Sequence, residues 1–239
     1  YLTHDYLQAA RKNNYTYFQA TAVDLDKENQ ILKTSNGNIK YDYLVFAPGI
    51  DYDYSRWTND IAFENRLRHE YPAGFMPGSE HITLKNKIKN FKGGNFILTV
   101  PEGNYRCLPA PYERACVIAD YFKQKELNAK VILLDANNSI TIKEQGFKSA
   151  FDELYADYLE YVPSAKITEI DLDNKVVYTE FEEFEFEDAA FYPQVRGAKI
   201  LERVGLAKDA KNKLEAHINQ LTYEAIDAKN VYITGDSRP

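Results

Sequence analysis

The feature that most constrains this chain is a pair of strongly apolar runs joined by a helical segment. Residues 95–100 and 130–135 have the composition of buried strands, and residues 112–123 between them carry apolar side chains at helical spacing. Strands connected through a helix lie parallel, and helices then cover the faces of their sheet. The sequence therefore predicts an α/β fold with Rossmann-like parallel sheets.

Other elements are predicted on similar grounds. The unbroken apolar run 43–47, ended by Pro48-Gly49, predicts a strand covered on both faces, and residues 230–234 predict a final buried strand. The pair Asn36-Gly37 between apolar runs predicts a β-hairpin. Helices are predicted over residues 1–13, 148–159 and 197–204.

One segment of the chain occurs twice. Residues 23–48 recur in shorter form as residues 170–193, with Val23-Asp24-Leu25-Asp26 matched to Ile170-Asp171-Leu172-Asp173. Each copy ends in a core strand followed by proline. Two such strand–turn–strand excursions predict two related halves on either side of residues 57–165. The alternative is convergence of hairpin composition, with no structural relationship.

Composition excludes several classes of protein. With 44% hydrophobic residues and a mean hydropathy of −0.52, the chain can build a core, and it has no apolar run of about 20 residues that would span a membrane. A net charge of −7 and a pI near 5.2 argue against nucleic acid as a partner. Two cysteines are too few for a disulfide framework or a zinc site, so no metal is predicted.

Two candidate ligand contacts lie at predicted strand ends. In a doubly wound sheet, ligands collect at the carboxyl ends of the strands. Ala47-Pro48-Gly49 and Gly235-Asp236 follow predicted strands directly. Glycine lets the main chain approach a ligand, and the Asp236 carboxylate can contact a polyol. The alternative is that both motifs merely end their strands.

The loop after the 95–100 strand has a different character. It spans residues 101–111 and lacks Gly-x-Gly-x-x-Gly, and its prolines and Glu102 are unsuited to pyrophosphate, so NAD(P) binding in this unit is not expected. Cys107 follows Arg106 in this loop. A thiolate is favoured near a cation or a helix N-terminus, which makes Cys107 a candidate redox group. The alternative is that a cysteine packs as a small, buried apolar residue, and we expect this of Cys116.

Several of these runs together resemble one protein family, the flavoprotein subunit of flavocytochrome c sulfide dehydrogenase. The element Cys-x-Pro-x-Pro-Tyr-Glu-Arg at residues 107–114 is specific to that resemblance. The other runs occur across flavoproteins with two dinucleotide-binding domains, including sulfide:quinone oxidoreductases. In chain order, the resembling runs are residues 41–51, 106–115, 193–198, 204–207 and 231–236.

The resemblance implies a flavoprotein fold with two dinucleotide-binding domains and β-hairpin excursions, truncated at both ends. Residues 1–56 and 166–239 would be parts of a discontinuous FAD-binding domain, and residues 57–165 a degenerate NAD(P)-type domain that carries Cys107. FAD would lie against Val23, Ala47, Pro48, Gly49, Gly235 and Asp236.

The resemblance also implies a reaction. In that family the counterpart of Cys107 is one half of a redox disulfide over the flavin. Sulfide, or a related sulfur compound, is oxidised there. Electrons pass through FAD to a cytochrome c subunit or a soluble cytochrome c, in the periplasm.

Three departures from the family change what is expected. The Gly-x-Gly-x-x-Gly unit for the FAD pyrophosphate is expected before Tyr1 and a further domain after Pro239, so these residues alone should form an inactive central fragment that retains FAD weakly or not at all. Lys211-Asn212-Lys213 stands where the partner cysteine is expected. The alternatives are a flavoprotein with another donor or with quinone as acceptor, a thiol substrate bound as a mixed adduct, and a flavin-free interaction module with a vestigial site.

Overall fold

A computed structural model describes residues 4–76, 78–208 and 214–239, which fold into two compact units. The smaller unit comprises residues 1–49 and 197–239, and the larger unit comprises residues 50–196. Both combine helices with parallel strands, so the predicted α/β fold class is confirmed.

The helices, in chain order, are α1 (Tyr6–Asn13), α2 (Ile61–Glu70), α3 (Ser79–Asn90), α4 (Ala110–Gln124), α5 (Glu144–Leu154) and α6 (Lys199–Arg203). The strands are β1 (Ala22–Asp26), β2 (Ile31–Thr34), β3 (Gly37–Lys40), β4 (Leu44–Phe46), β5 (Ile50–Asp53), β6 (Gly94–Val100), β7 (Ala129–Asp135), β8 (Leu159–Val162), β9 (Ile167–Asp171), β10 (Val176–Thr179), β11 (Glu183–Glu185), β12 (Asp188–Ala190), β13 (Gln194–Gly197), β14 (Ala207–Lys208), β15 (Glu215–Ala216) and β16 (Val231–Ile233).

The larger unit is built on a parallel sheet with the strand order β12-β6-β7-β8. β6 and β7 pair in parallel, with Phe96 opposite Val131 and Leu98 opposite Leu133, and α4 connects them. These four side chains lie on one face and Ile97 and Ile132 lie on the other, and all six are buried, so both faces of the sheet are covered. The βαβ unit predicted from the two apolar runs is therefore confirmed.

The order of the sheet reverses at β6, because β12 pairs with β6 on the side opposite β7. In open α/β sheets, ligands bind outside the carboxyl ends of the strands at such a reversal. The loop that carries Cys107 begins at the carboxyl end of β6. The fold thus places this cysteine at the edge where a ligand is expected.

An antiparallel meander of β9, β10 and β11 also lies in the larger unit. Ile170 and Val177 face each other across β9 and β10, and both are buried in the same core as the parallel sheet. The predicted division grouped residues 166–196 with residues 1–56, whereas their contacts group them with the larger unit. The reason is that β12, which follows the meander, extends the parallel sheet. The FAD-type and NAD(P)-type identities of the two units stay predictions.

The smaller unit has a corresponding meander of β1, β2 and β3, and β4 pairs with β16 in parallel. The hairpin predicted at Asn36-Gly37 joins β2 to β3 and is confirmed. β16 is buried as predicted. The expectation that both faces of the 43–47 run are covered was wrong, because Val45 is 63% exposed whereas Phe46 is buried. Among the described residues, β4 and β16 form a sheet of two strands, and only the face that carries Phe46 is packed.

The predicted helices near residues 1–13 and 197–204 correspond to α1 and α6. The end predicted for the 148–159 helix was wrong, because α5 ends at Leu154 and Leu159 lies in β8 opposite Val131. Pairing with β7 buries Leu159, and this contact outweighs the helical spacing of the aromatic residues. The helices α2 and α3 were not predicted.

Candidate functional site

Cys107 lies on the loop between β6 and α4, at the carboxyl edge of the parallel sheet. The residue is exposed, and its φ of 55° places it in the left-handed region, which is uncommon for residues other than glycine. Its carbonyl accepts a hydrogen bond from the Ala110 N–H at 2.9 Å, which closes a turn just before α4 begins. The predicted strand-to-helix turn is confirmed, and the thiol lies at the surface.

Two buried tyrosines hold the main chain on either side of this thiol. The Tyr192 hydroxyl donates to the Arg106 carbonyl at 2.8 Å, and the Tyr105 hydroxyl donates to the Leu108 carbonyl at 3.0 Å. The two rings meet edge to face, with centroids 5.9 Å apart. The residues before and after Cys107 therefore have fixed partners, while the thiol itself stays accessible.

An aromatic ring lies against Tyr192, and a cation lies over that ring. Phe75 stacks on Tyr192 with ring centroids 4.1 Å apart, and the Arg114 guanidinium lies 4.5 Å from the centre of the Phe75 ring. Arg114 donates to the carbonyls of Ala73 and Gly74, and it forms no ion pair with any residue that the structure describes. A positive charge without a carboxylate partner is therefore held close to the loop.

The fold partly desolvates the Arg114 guanidinium. Burial lowers the pKa of the Arg114 guanidinium, and the Coulombic influence of Tyr52, Tyr192, Glu80 and Cys107 opposes that shift. The sequence suggested Arg106 as the cation that favours the Cys107 thiolate. The structure adds Arg114 as a second candidate cation, because its partly desolvated guanidinium lies over Phe75 near the loop. The sequence signal for it was present in the Cys-x-Pro-x-Pro-Tyr-Glu-Arg element, whereas Phe75 and Tyr192 had no signal of their own.

The second cysteine differs in its surroundings. Cys116 lies half-buried on α4, burial raises the pKa of its thiol, and both cysteines are free. The predicted contrast in exposure between Cys107 and Cys116 is confirmed, while the catalytic role of Cys107 stays a prediction. The predicted partner position at 211–213 lies outside the described residues. Across residues 4–76, 78–208 and 214–239, no group of three or more His, Cys, Asp and Glu side chains is arranged to hold a metal.

The strand-end motifs of the smaller unit share one edge. β4 and β16 are parallel neighbours, and the Thr234 N–H donates to the Phe46 carbonyl at 2.9 Å. The Ser237 hydroxyl donates to the Gly49 carbonyl, which joins the chain after β4 to the chain after β16. Ala47-Pro48-Gly49 and Gly235-Asp236, which lie far apart in sequence, are thus brought together.

The main chain at this edge is open. Gly49 and Gly235 have φ of 73° and 76°, and no atom lies within 4 Å of the position that a Cβ would take at either residue. A cofactor can therefore approach the backbone closely there, so the residues present fit the predicted FAD contact. Val23, the other predicted contact, lies at a β-bulge in β1 and is 37% exposed. The roles of all these residues in binding FAD stay predictions.

The carboxyl edge of β6 does not fit NAD(P). Glu102 lies just after the strand and forms ion pairs with Arg56 and Lys166 at 2.7 and 2.8 Å. The first N–H of α4 is already bonded within the loop, and Pro111 has no N–H. A pyrophosphate needs free N–H groups at a helix N-terminus, and this helix supplies few.

A cavity of about 280 Å³ opens at the same edge of the larger unit. Its wall is largely apolar and includes Trp57, Val100 and Leu134. The cations at the wall are those already paired with Glu102, so the cavity offers no excess positive charge to a dinucleotide. Within the described ranges, no helix is both long and apolar enough to cross a membrane.

Residues 82–191 match a family model described as "Sulfide dehydrogenase [flavocytochrome c] flavoprotein chain, central". The matched region contains β6, the Cys107 loop, α4 and β7. The mitochondrial sulfide:quinone oxidoreductase of Schizosaccharomyces pombe is 27% identical over 114 residues, which cover 44% of this chain and 23% of that protein.

Solved structures of similar fold include the sulfide:quinone oxidoreductase of the hyperthermophilic bacterium Aquifex aeolicus, with a TM-score of 0.73 and 16% identity over 96% of this chain and 54% of that chain. An NAD-dependent persulfide reductase from A. fulgidus has a TM-score of 0.72 and 13% identity over 99% of this chain and 42% of that chain. The chain thus spans about half the length of these solved structures or less. At these identities the structural likeness shows the fold.

Together the comparisons confirm the resemblance. The chain is similar in sequence to the sulfide dehydrogenase and sulfide:quinone oxidoreductase flavoproteins. Its fold is similar to those of the Aquifex aeolicus sulfide:quinone oxidoreductase and the A. fulgidus persulfide reductase.

Proposed function

We propose that this chain is part of an FAD-dependent oxidoreductase that oxidises sulfide, or a related small sulfur compound, at Cys107. The observation that carries the proposal is the loop around this cysteine, which exposes the thiol while Tyr105 and Tyr192 fix the adjoining main chain. The family match, which includes the whole loop, supports a sulfur substrate.

We assign FAD binding to the smaller unit, where the main chain is open after β4 and β16. When bound, FAD supplies the acceptor for the two electrons that sulfide oxidation releases. The 239 residues contain no Gly-x-Gly-x-x-Gly, the element that approaches pyrophosphate in this fold, so we expect the chain by itself to retain FAD weakly. The assigned contacts are Val23, Ala47, Pro48, Gly49, Gly235 and Asp236.

The proposed chemistry needs one cysteine. Both cysteines of the chain are free, and Cys107 is the exposed one. Its thiolate sulfur forms a bond to the sulfur of hydrosulfide, the S–H bond breaks, and Cys107 becomes a persulfide. This step releases one proton and two electrons, and an oxidised FAD, when bound, would accept them and become reduced. We assign to Arg114 the role of offsetting the negative charge of the sulfur species, because this cation lies over Phe75, which stacks on the Tyr192 ring that holds the cysteine loop.

We further propose that a cytochrome c subunit or a soluble cytochrome c receives the electrons, in the periplasm, because the matched family is the flavoprotein chain of a flavocytochrome c. Quinone is the alternative acceptor, since the relative from Schizosaccharomyces pombe is a sulfide:quinone oxidoreductase. The two acceptors are separated by measuring turnover with cytochrome c and with a short-chain quinone side by side. The protein used is the longer protein of which we propose this chain is a part, purified with its flavin.

The proposal is tested by adding sulfide anaerobically to that longer protein and following the flavin absorbance. We expect rapid bleaching, slowed by at least about 100-fold in Cys107→Ser because the nucleophilic sulfur is lost. Cys116→Ser is the matched control and should bleach at the original rate. A protein without a flavin spectrum would favour the interaction module, and unchanged bleaching in Cys107→Ser would favour a different electron donor.

NAD(P)H is not the proposed donor. Glu102 with its two ion pairs and Pro111 at the start of α4 oppose a pyrophosphate. NADH at micromolar concentration should therefore leave the flavin of the longer protein oxidised. Fast bleaching by NADH would move the assignment toward NADH-dependent disulfide reductases.

A further inference from the structure

The proposed chemistry leaves one buried carboxylate of the larger unit unused. Asp135 ends β7 and is 0% exposed. Its Oδ2 accepts hydrogen bonds from the hydroxyls of Tyr112 and Tyr161 at 2.7 and 3.0 Å. Its Oδ1 accepts from the main-chain N–H and the side-chain amide of Asn137, both at 2.8 Å. A buried carboxylate is costly unless its oxygens are bonded, and here each oxygen has two donors.

Asn137 connects Asp135 to the beginning of the Cys107 loop. Its amide nitrogen also donates to the Pro101 carbonyl at 2.9 Å, and its amide oxygen accepts from the Gly103 N–H at 2.7 Å. The side chain that binds the carboxylate therefore holds two main-chain groups of the loop.

Tyr112 connects Asp135 to the other end of the loop. Its hydroxyl accepts from the Thr141 N–H at 3.2 Å, and the Thr141 hydroxyl lies 2.9 Å from that of Tyr105. Tyr105 in turn donates to the Leu108 carbonyl, one residue after Cys107. Tyr161 reaches the same carboxylate oxygen from β8, and in the described part of the chain it has no hydrogen bond to the loop.

We propose that Asp135 is a positioning residue for Cys107. Through Asn137 and Tyr112 it holds the loop before and after the cysteine, and it fixes the left-handed turn that presents the thiol. The purpose of this arrangement rests on the proposed function, whereas the arrangement itself does not depend on it.

The same network bears on whether this unit can bind a dinucleotide. In such units an acidic residue beyond the phosphate-binding turn bonds to a ribose hydroxyl. Asp135 ends the second strand of the βαβ unit but lies in the interior, with both oxygens fully engaged. The Asp135 carboxylate is therefore engaged within the protein and is not free to bind a ribose.

The test compares Tyr112→Phe with Tyr161→Phe in this chain. Each variant removes one hydroxyl bonded to the same oxygen of Asp135, but only Tyr112 leads to the loop. Amide exchange at Ala110, whose N–H bonds to the Cys107 carbonyl, and trypsin cleavage after Arg106 are measured in both. We expect both rates to rise at least about 10-fold in Tyr112→Phe and less than about 2-fold in Tyr161→Phe, with exchange in the second half of α4 unchanged.

Asn137→Ala cuts the other connection and should also accelerate cleavage after Arg106, which keeps the test decisive if Tyr112→Phe does not fold. Equal acceleration in the two tyrosine variants, or exchange that rises throughout α4, would reduce Asp135 to a packing role and overturn the proposal. In the longer protein, Tyr112→Phe should slow flavin bleaching by sulfide more than Tyr161→Phe does. If sulfide bleaches no flavin in the unaltered protein, the proposed function fails while the exchange and cleavage results still decide the role of Asp135.

Discussion

The meander β1–β3 of the smaller unit and the meander β9–β11 of the larger unit contain the same kind of turn between their first two strands. Asp26 accepts from the main chain and the side-chain amide of Asn29 at 3.0 and 2.9 Å, and Asp171 accepts from the same groups of Asn174 at 2.9 and 2.8 Å. The residue after each asparagine is left-handed, with φ of 55° and 57°. The two copies of the predicted repeat thus share one turn geometry, whereas their relationship as two halves stays a prediction.

The alignment of the two copies needs a correction of two residues. The sequence matched Asp24 to Asp171, whereas the turn makes Asp26 the counterpart of Asp171. Val-Asp-Leu-Asp has a period of two, so either alignment leaves the apolar residues on the same face of the strand. Turn hydrogen bonds fix the register where the apolar pattern cannot.

The two meanders differ in what covers them. In the larger unit, the cross-strand pair Ile170 and Val177 is buried, with exposed fractions of 5% and 0%. The corresponding pair in the smaller unit is Leu25 and Leu32. Leu25 is 7% exposed, but Leu32 is only half-buried. β3 is exposed along its whole length. The meander in the larger unit leads into a four-stranded sheet, and the other leads into a two-stranded one. The same local pattern thus yields a core element or a surface element, depending on its neighbours.

The largest effect should come from a charge placed at corresponding positions of the two meanders. Val177→Asp puts a carboxylate in a fully buried site and should destabilise the larger unit by at least about 3 kcal/mol, whereas Leu32→Asp should cost about 1 kcal/mol. Trp57, the only tryptophan in the chain, lies in the larger unit and reports its unfolding in urea. We expect the fluorescence midpoint to move in Val177→Asp and to stay in Leu32→Asp. Equal shifts in the two variants would contradict the difference in burial between the two meanders.

A second comparison separates the proposed FAD contact after β4 and β16 from the Cys107 loop of the larger unit. Asp236→Ala in the longer protein should weaken flavin retention by about 10-fold, because a charged hydrogen-bonding group at the open strand ends is lost. Cys107→Ser should leave retention unchanged. The ratio of flavin to protein absorbance after gel filtration measures both. If Cys107→Ser lost its flavin and Asp236→Ala kept it, the assignment of FAD to the smaller unit would be wrong.

Removing a positive charge near Cys107 should have a smaller effect, a change of several-fold in how fast its thiol is alkylated. Iodoacetate is anionic and iodoacetamide is neutral, so their rate ratio at a thiol reports the local potential. We expect Arg114→Gln to lower this ratio at Cys107 by about 3-fold or more, and Arg106→Gln to lower it less. Cys116, mapped in the same digest, serves as the internal reference. A larger effect of Arg106→Gln would return the role to the arginine suggested by the sequence.

The smallest effect concerns the shared turn. Hydrogen bonds from Asn29 hold the pKa of Asp26 below its usual range, and those from Asn174 do the same for Asp171. A lowered pKa means that the stabilisation is present above the unfolded pKa of about 4 and is lost as pH falls through the folded pKa. Asp26→Ala and Asp171→Ala should therefore lower the melting temperature slightly and to a similar extent at pH 7. Below about pH 4 the difference from the unaltered protein should shrink, as thermal unfolding across pH would show.

Much of the fold was predictable because the responsible signals are local. The apolar runs of β6 and β7, the helical spacing of α4 and the Asn36-Gly37 turn each act over a few residues. The candidate site was predictable in part for the same reason, since Cys107 follows Arg106 in a proline-rich loop, Gly49 follows Pro48, and Gly235 comes just after a predicted strand. The exposure of Val45 and the early end of α5 were not predictable, because they depend on which strand pairs alongside.

By itself the sequence determined the βαβ unit, the Asn36-Gly37 hairpin and the strand-to-helix loop that carries Cys107. The tertiary structure alone decided which unit each meander joins, that Arg114 and Phe75 meet Tyr192 beside the cysteine loop, and that Asp135 holds that loop from the interior. The reason is sequence separation. Propensity and periodicity act between residues a few positions apart, whereas these contacts join segments tens of residues apart, and they form only once the parallel sheet brings its carboxyl ends to one edge.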